Sequence, residues 1–98
     1  MIRLGSEAER QLADLLRHYA SLARPEAGRN LLATIDQAVA QIERSPSDGF
    51  PAPRPYPSLA RLGRLWIRVG RYWIAYSVTD PPVILAVFHD AADIPGRL

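Results

Sequence analysis

The chain contains no cysteine and no lysine. Without cysteine it has no disulfide, no thiolate metal ligand and no cysteine nucleophile. Its two histidines are too few to form a structural zinc site by themselves. No apolar run approaches the roughly 20 residues that a membrane-spanning helix needs, and no signal-peptide pattern opens the sequence. These absences predict a soluble, cytoplasmic protein that uses no cofactor, no metal and no membrane contact, and that is stabilised by packing alone.

The length and composition predict one small globular domain. The 98 residues are 48% hydrophobic and 22% charged, so the chain has enough apolar side chains to form a core. No linker is long enough to separate two units, and we therefore expect a single domain over residues 1–98.

Positive charge is concentrated in the middle of the chain. The net charge is only +2, but residues 49–79 hold five arginines and no acidic residue. Those arginines are Arg54, Arg61, Arg64, Arg68 and Arg71. A basic segment of this kind attracts an acidic partner or a polyanion. It is equally consistent with a solvated strand whose arginines protect a sheet edge.

The first half of the sequence predicts two adjacent helices. Ser6 and Glu9 have the spacing of a capping box, and an apolar stripe at helical spacing follows to about residue 22. Pro25 is suited to the first turn of a second helix, whose apolar stripe continues until Ser45-Pro46. Two amphipathic helices joined by so short a link form a helical hairpin.

The second half predicts strands after a stiff connector. Residues 45–58 carry five of the nine prolines, which favour extended backbone. Residues 64–69 and 72–78 alternate in polarity around a tight turn at Gly70-Arg71, and residues 83–88 form an apolar run typical of a central strand. With a short strand at residues 1–4, the predicted class is α+β in the order β-α-α-β-β-β. The helical hairpin would pack on one face of a small, mainly antiparallel sheet.

Two tryptophans alternate with arginines on neighbouring strands. Trp66 lies between Arg64 and Arg68, and Trp73 lies two residues after Arg71. Tryptophan and arginine are the usual anchors of protein interfaces, so these side chains are candidates for partner contact. The alternative is that both tryptophans pack under the helices.

Several motifs, in this order and spacing, resemble the RelE/ParE superfamily of toxins from bacterial type II toxin–antitoxin systems. The segment Gly70–Tyr76 (GRYWIAY) is similar to the family's GRYxIxY strand, and His89–Pro95 (HDAADIP) is similar to its HxARDIP ending. Arg24-Pro25-Glu26, leading into the second helix, also fits the family, and the ParE branch is the most similar. One departure is Ala92, which stands where the branch usually has an arginine.

The resemblance to ParE implies a binder rather than an enzyme. Members of that branch inhibit DNA gyrase and are neutralised by a cognate ParD-like antitoxin, so we expect a hetero-oligomer with an acidic antitoxin that folds on binding. The candidate partner-binding residues are Arg54, Arg61, Arg64, Trp66, Arg68, Arg71 and Trp73, and His89 and Asp93 belong to the tail motif.

Two other functions remain open. A RelE-like, ribosome-dependent mRNA endoribonuclease needs cations and a general acid–base pair at the scissile phosphate. Relatives of that branch carry a basic residue where this chain has Trp73, and this chain's tail is acidic. If it were a nuclease, His89, Arg68 and Arg71 would be its catalytic candidates. The third hypothesis, motivated by Ala92, is a toxin fold that has lost toxicity.

Overall fold

A computed structural model describes residues 2–53 and 56–90. The two helices are α1 (Ser6–Ser21) and α2 (Pro25–Arg44). The strands are β1 (Arg3–Leu4), β2 (Arg64–Val69), β3 (Tyr72–Ser77) and β4 (Val83–His89), with one turn of 3-10 helix at Pro57–Leu59. The order β-α-α-β-β-β and the start of α2 at Pro25 confirm the prediction.

The four strands form one mixed sheet in the order β1-β4-β3-β2. β1 runs parallel to β4, whereas the β4–β3 and β3–β2 pairs are antiparallel. The apolar run of β4 is explained by packing on both faces of the sheet, because Ile84 and Val87 lie against the helices and Ala86 and Phe88 lie in a second core on the opposite face. The β2–β3 turn has two residues, and Gly70 takes the positive φ of +58° that such a turn favours.

The predicted capping box at the start of α1 is wrong. Gly5 is the N-cap residue, Ser6 is already helical, and no side chain caps the helix. The Gly5 carbonyl accepts from the Glu9 amide at 2.9 Å, while the Gly5 amide donates to the Ile84 carbonyl of β4 at 2.7 Å. The helix thus begins one residue earlier than the capping box predicts, because Gly5 pairs with β4 through its amide and opens the helix through its carbonyl.

One face of the sheet packs against both helices. We call this the helix–sheet core. The helices contribute Ala8, Leu31, Ile35, Ala38 and Ile42, and the sheet contributes Ile67, Val69, Tyr72, Ile74, Tyr76, Ile84 and Val87. The alternation along β2 and β3 places these residues on the face opposite Trp66, Trp73 and Ala75.

The opposite face of the sheet has a core of its own, beneath the proline-rich connector. This sheet–loop core contains Ala52, Leu59, Trp66, Trp73, Ala75, Ala86 and Phe88. Trp66 is fully buried and Trp73 is 5% exposed. The expectation that the tryptophans pack under the helices is therefore wrong. Their burial also argues against the expectation that they anchor a partner, because neither indole offers surface to another molecule in this fold.

Candidate functional site

A cleft lies between the helical hairpin and the β2–β3 turn. Its volume is about 600 Å³. The helical wall presents the polar side chains of Tyr19, Arg24, Glu26, Asn30 and Thr34. The sheet wall presents Arg71, Tyr72 and His89, next to Gly70. We call this the Arg24–Arg71 cleft; its volume is in the range of sites for small ligands.

The link between α1 and α2 positions the helical wall. Ala23 takes a left-handed conformation, with φ of +53°. The Ala23 amide donates to the Ala20 carbonyl at 3.0 Å, and the Arg24 amide donates to the Tyr19 carbonyl at 2.9 Å. These bonds satisfy carbonyls at the end of α1, as in a Schellman-type helix end, which more often has glycine at the left-handed residue. Tyr19 and Arg24 are thereby held on the same side of the cleft.

A pair of tyrosine hydroxyls joins the two walls. The hydroxyls of Tyr19 and Tyr72 hydrogen-bond to each other although the residues are 53 positions apart. Burial raises the pKa of Tyr72, and the bond to Tyr19 raises it further, so the phenol stays protonated at neutral pH. Two hydroxyls carry two protons and one mutual bond uses only one of them. The pair therefore retains one donor.

Thr34 faces the β2–β3 turn from the middle of α2. Its side chain is 9% exposed, and a Cβ atom built on Gly70 would lie 3.8 Å from the Thr34 Oγ1 atom. Within residues 2–53 and 56–90 the Thr34 hydroxyl has no hydrogen-bond partner. Its oxygen is not one of the buried, unpartnered side-chain atoms of the described residues, so it reaches the solvent of the cleft as an available donor and acceptor.

Charged side chains meet at the end of β4. The Arg68 guanidinium donates to the Asp90 carboxylate at 2.7 Å, and Nδ1 of His89 lies 3.3 Å from the other Asp90 oxygen. The Asp90 amide donates to the Arg71 carbonyl at 2.8 Å, and the Tyr72 ring contacts His89 edge-on at 5.4 Å. Asp90 therefore offsets the charge of Arg68 and orients His89, while the Arg71 side chain lines the cleft.

Two of the other predicted arginines, Arg61 and Arg64, contact the segment that precedes β2. The Arg64 guanidinium lies over the Trp66 ring at 5.3 Å and donates to the Leu59 carbonyl. Burial lowers the pKa of Arg64, and the nearby charge of Arg61 adds to this. Arg61 itself donates to the Ala60 carbonyl at 2.8 Å. Half-buried Arg64 thus serves the sheet–loop core, and Arg61 keeps an exposed surface.

The cleft unites only part of the predicted site. Arg71 and His89 lie in it and Arg68 is nearby, whereas Trp66 and Trp73 lie in the sheet–loop core. Arg54, Ala92 and Asp93 lie outside the described residues.

Sequence reasoning missed six polar residues of the cleft. They are Tyr19, Arg24, Glu26, Asn30, Thr34 and Tyr72. Tyr19 belongs to the apolar stripe of α1, and Arg24-Pro25-Glu26 indicates a helix start and a family resemblance but no binding site. The polar side chains at the start of α2, directly after the tight helical link, were the feature of the sequence that could have indicated this cleft.

The described residues hold no candidate metal site and no helix able to cross a membrane. Residues 2–53 and 56–90 contain no group of three or more histidine, aspartate and glutamate side chains able to hold a metal ion. Neither helix of that part of the chain combines the length and the apolar character needed to cross a bilayer.

Comparison with known proteins supports the resemblance seen in the motifs. The structure is similar to a chain of the chromosomal ParDE toxin–antitoxin system from P. aeruginosa, with a TM-score of 0.66 and 16% sequence identity over 90% of this chain and 92% of that chain. At 16% sequence identity, this similarity shows only that the two chains share a fold. No curated protein matches the chain. The profile of the ParE toxin of the type II toxin–antitoxin system parDE matches residues 2–94, so the chain belongs to the ParE toxin family.

Proposed function

We propose that this ParE-family toxin inhibits DNA gyrase by binding it, without catalysing a reaction, and that a cognate ParD-like antitoxin neutralises it in the cytoplasm. The observation that carries the choice of a binder is the burial of Trp73. In the nuclease branch that position of the strand is basic, whereas here it holds an indole that is 5% exposed beneath the connector. A phosphoryl-transfer site needs cations on an accessible surface, so this face is unsuited to RNA cleavage.

One observation favours the second candidate, a RelE-like ribonuclease. His89 and Arg71 share the Arg24–Arg71 cleft, which brings a group able to exchange protons near a cation. Asp90 contacts His89 and offsets the charge of Arg68, which leaves Arg71 and Arg24 as the cations of such a site.

An induced-expression experiment separates the two candidates. For a gyrase inhibitor we expect filamentous cells, DNA-damage induction, and plasmid DNA cleaved by purified gyrase when the protein is added. Rapid, ribosome-dependent cleavage of mRNA with intact DNA would overturn the proposal in favour of a nuclease. Folded protein without an effect on growth, DNA or mRNA would indicate a fold that has lost toxicity.

The exposed surface of the β2–β3 hairpin fits an acidic, amphipathic antitoxin segment. Arg61, Arg68 and Arg71 are exposed there. At the open end of the hairpin, Leu62 is fully exposed and Val78 is 49% exposed. A segment that is disordered alone and folds on this surface would combine apolar contact with charge attraction. We propose that these residues contact the antitoxin in a hetero-oligomer.

A charge-reversal pair tests the antitoxin surface. Arg68→Glu with Arg71→Glu should weaken binding of the antitoxin encoded beside the toxin, while circular dichroism shows unchanged helix content. The matched control is Arg17→Glu with Arg29→Glu, two exposed arginines of the helices. Unchanged affinity of the hairpin variant would remove Arg68 and Arg71 from the interface. The absence of an antitoxin reading frame beside the gene would count against neutralisation itself.

A further inference from the structure

We propose that the Arg24–Arg71 cleft is a recognition site for a carboxylate group, supplied by an acidic side chain of the antitoxin. The source of the carboxylate rests on the proposed function, whereas the chemistry of the site rests on the cleft alone. Four features carry the inference: two guanidinium groups without a carboxylate partner among the described residues, a spare tyrosine donor, an available threonine hydroxyl, and one acidic residue on the wall.

The two arginines of the cleft have no carboxylate partner among residues 2–53 and 56–90. Arg10, Arg17 and Arg68 each form an ion pair in the same part of the chain, whereas Arg24 and Arg71 share the lack of one with the remaining described arginines. What distinguishes Arg24 and Arg71 is that both line one cleft. Arg24 comes from the helical link and Arg71 from the β2–β3 turn, so their charges lie on opposite walls. Guanidinium groups bind carboxylates with paired, charge-assisted hydrogen bonds.

Uncharged hydroxyl groups lie in the same cleft as the two arginines and can also donate hydrogen bonds to a ligand. The Tyr19–Tyr72 hydroxyl pair retains one proton that their mutual bond does not use. The Thr34 hydroxyl lines the same cleft, has no partner within the described residues and keeps contact with solvent, so it is available to a ligand. These groups favour an acceptor placed between the two walls.

Glu26 distinguishes a peptide carboxylate from a phosphate dianion or a nucleic acid. Its carboxylate lines the same cleft and would repel a ligand carrying two or more negative charges. A peptide segment offers amide donors as well as an acidic side chain, and Glu26 can accept from those amides. The volume of about 600 Å³ is more than a single ion fills and leaves room for a side chain with its flanking peptide units.

A titration followed by nitrogen–proton NMR tests the chemistry of the site. The probe is N-acetyl-glutamic acid N-methylamide, added to the full isotope-labelled chain at constant ionic strength. We expect saturable shifts of the Thr34, Gly70 and Arg71 amides, and no saturation with the matched, uncharged glutamine probe. Equal shifts with both probes, or none with either, would overturn the proposal. Saturation by inorganic phosphate but not by the glutamate probe would assign the cleft to another class of ligand and also overturn it.

Single variants tie the shifts to the named residues. Arg24→Gln and Arg71→Gln should each weaken binding of the glutamate probe about tenfold, as expected for a lost charge-assisted contact. Thr34→Val keeps the shape of the side chain, removes the hydroxyl and should weaken binding several-fold. The control is Arg29→Gln, an exposed arginine of α2 that does not line the cleft. If Arg29→Gln lost as much affinity for the glutamate probe, the effect would come from the net charge of the protein, and the proposed site would be overturned.

The antitoxin complex tests the source of the carboxylate. The double variant Arg24→Gln/Arg71→Gln should bind the antitoxin at least about tenfold more weakly than the parent, with Arg29→Gln unchanged. If the double variant binds the antitoxin normally, the antitoxin does not supply the carboxylate, and the proposal that it neutralises the toxin is unaffected. If no antitoxin neutralises the toxin, the proposed function fails, and the probe titration still decides the chemistry of the cleft.

Discussion

Replacing Trp73 with alanine should destabilise the protein strongly, because its indole is a core group of the sheet–loop core. Trp73 is 5% exposed, and the Phe50 ring meets it edge-on at 6.2 Å. A tryptophan buries about 200 Å², and at about 25 cal/mol per Å² this corresponds to about 5 kcal/mol. Measured tryptophan-to-alanine changes of about 3–5 kcal/mol agree with this figure. A small domain has about 5–15 kcal/mol in total, so we expect Trp73→Ala to lose about a third of its stability or more.

Urea denaturation followed by circular dichroism measures this loss. Trp73→Phe keeps an aromatic ring in the sheet–loop core and should lose only about 1–2 kcal/mol, which leaves folded protein for binding studies. Leu62→Ala is the control, because the leucine is fully exposed and should change stability by at most about 0.5 kcal/mol. An interface anchor would behave oppositely, with normal stability and weaker antitoxin binding. A loss below about 1 kcal/mol for Trp73→Ala would refute the assignment of Trp73 to the core.

Three further changes test other features of the fold. Gly49→Ala should cost about 2–4 kcal/mol in urea denaturation, because the new Cβ would lie 2.6 Å from a tyrosine hydroxyl and 2.8 Å from a leucine carbon. Gly28 lies inside α2, and a Cβ atom there would meet its nearest neighbour at an ordinary contact distance of 3.5 Å, so Gly28→Ala should stabilise the protein by about 0.5–1 kcal/mol. Equal effects of the two glycine changes would contradict the tight packing around Gly49. Ala23→Gly should raise the thermal midpoint by relieving the left-handed backbone at φ +53°, and a lowered midpoint would argue against that conformation. The raised pKa of Tyr72 means that the unfolded chain loses this proton first, so stability should fall as pH rises above about 10, and Tyr72→Phe should make that fall shallower.

The sequence predicted the elements well where one local pattern was sufficient. Alternation placed Ile67 and Ile74 on one face and Trp66 and Trp73 on the other, and the structure has them so. Pro25 predicted the start of α2, because its ring suits a first helical turn. The capping box failed at Ser6, because pairing of the preceding residues with β4 competes with a purely local hydrogen bond.

Alternation along a strand does not say what covers each face. The connector lies over the sheet through Ala52 and Leu59, and Arg64 donates to the Leu59 carbonyl. Its prolines predicted stiffness but not where the segment would lie. The burial of Trp66 and Trp73 depends on that placement, and so does their removal from the candidate interface.

The order of elements, the faces of the strands and the membership of the ParE toxin family were determined by the sequence itself, because they depend on periodicity, on turn residues and on motifs in a set order. The Arg24–Arg71 cleft was decided only by the tertiary structure. Tyr19 and Tyr72 are 53 residues apart, and nothing local to either indicates that their hydroxyls meet. Their contact depends on how the helical hairpin lies on the sheet. That arrangement is the sum of many apolar contacts, none of which marks a binding site.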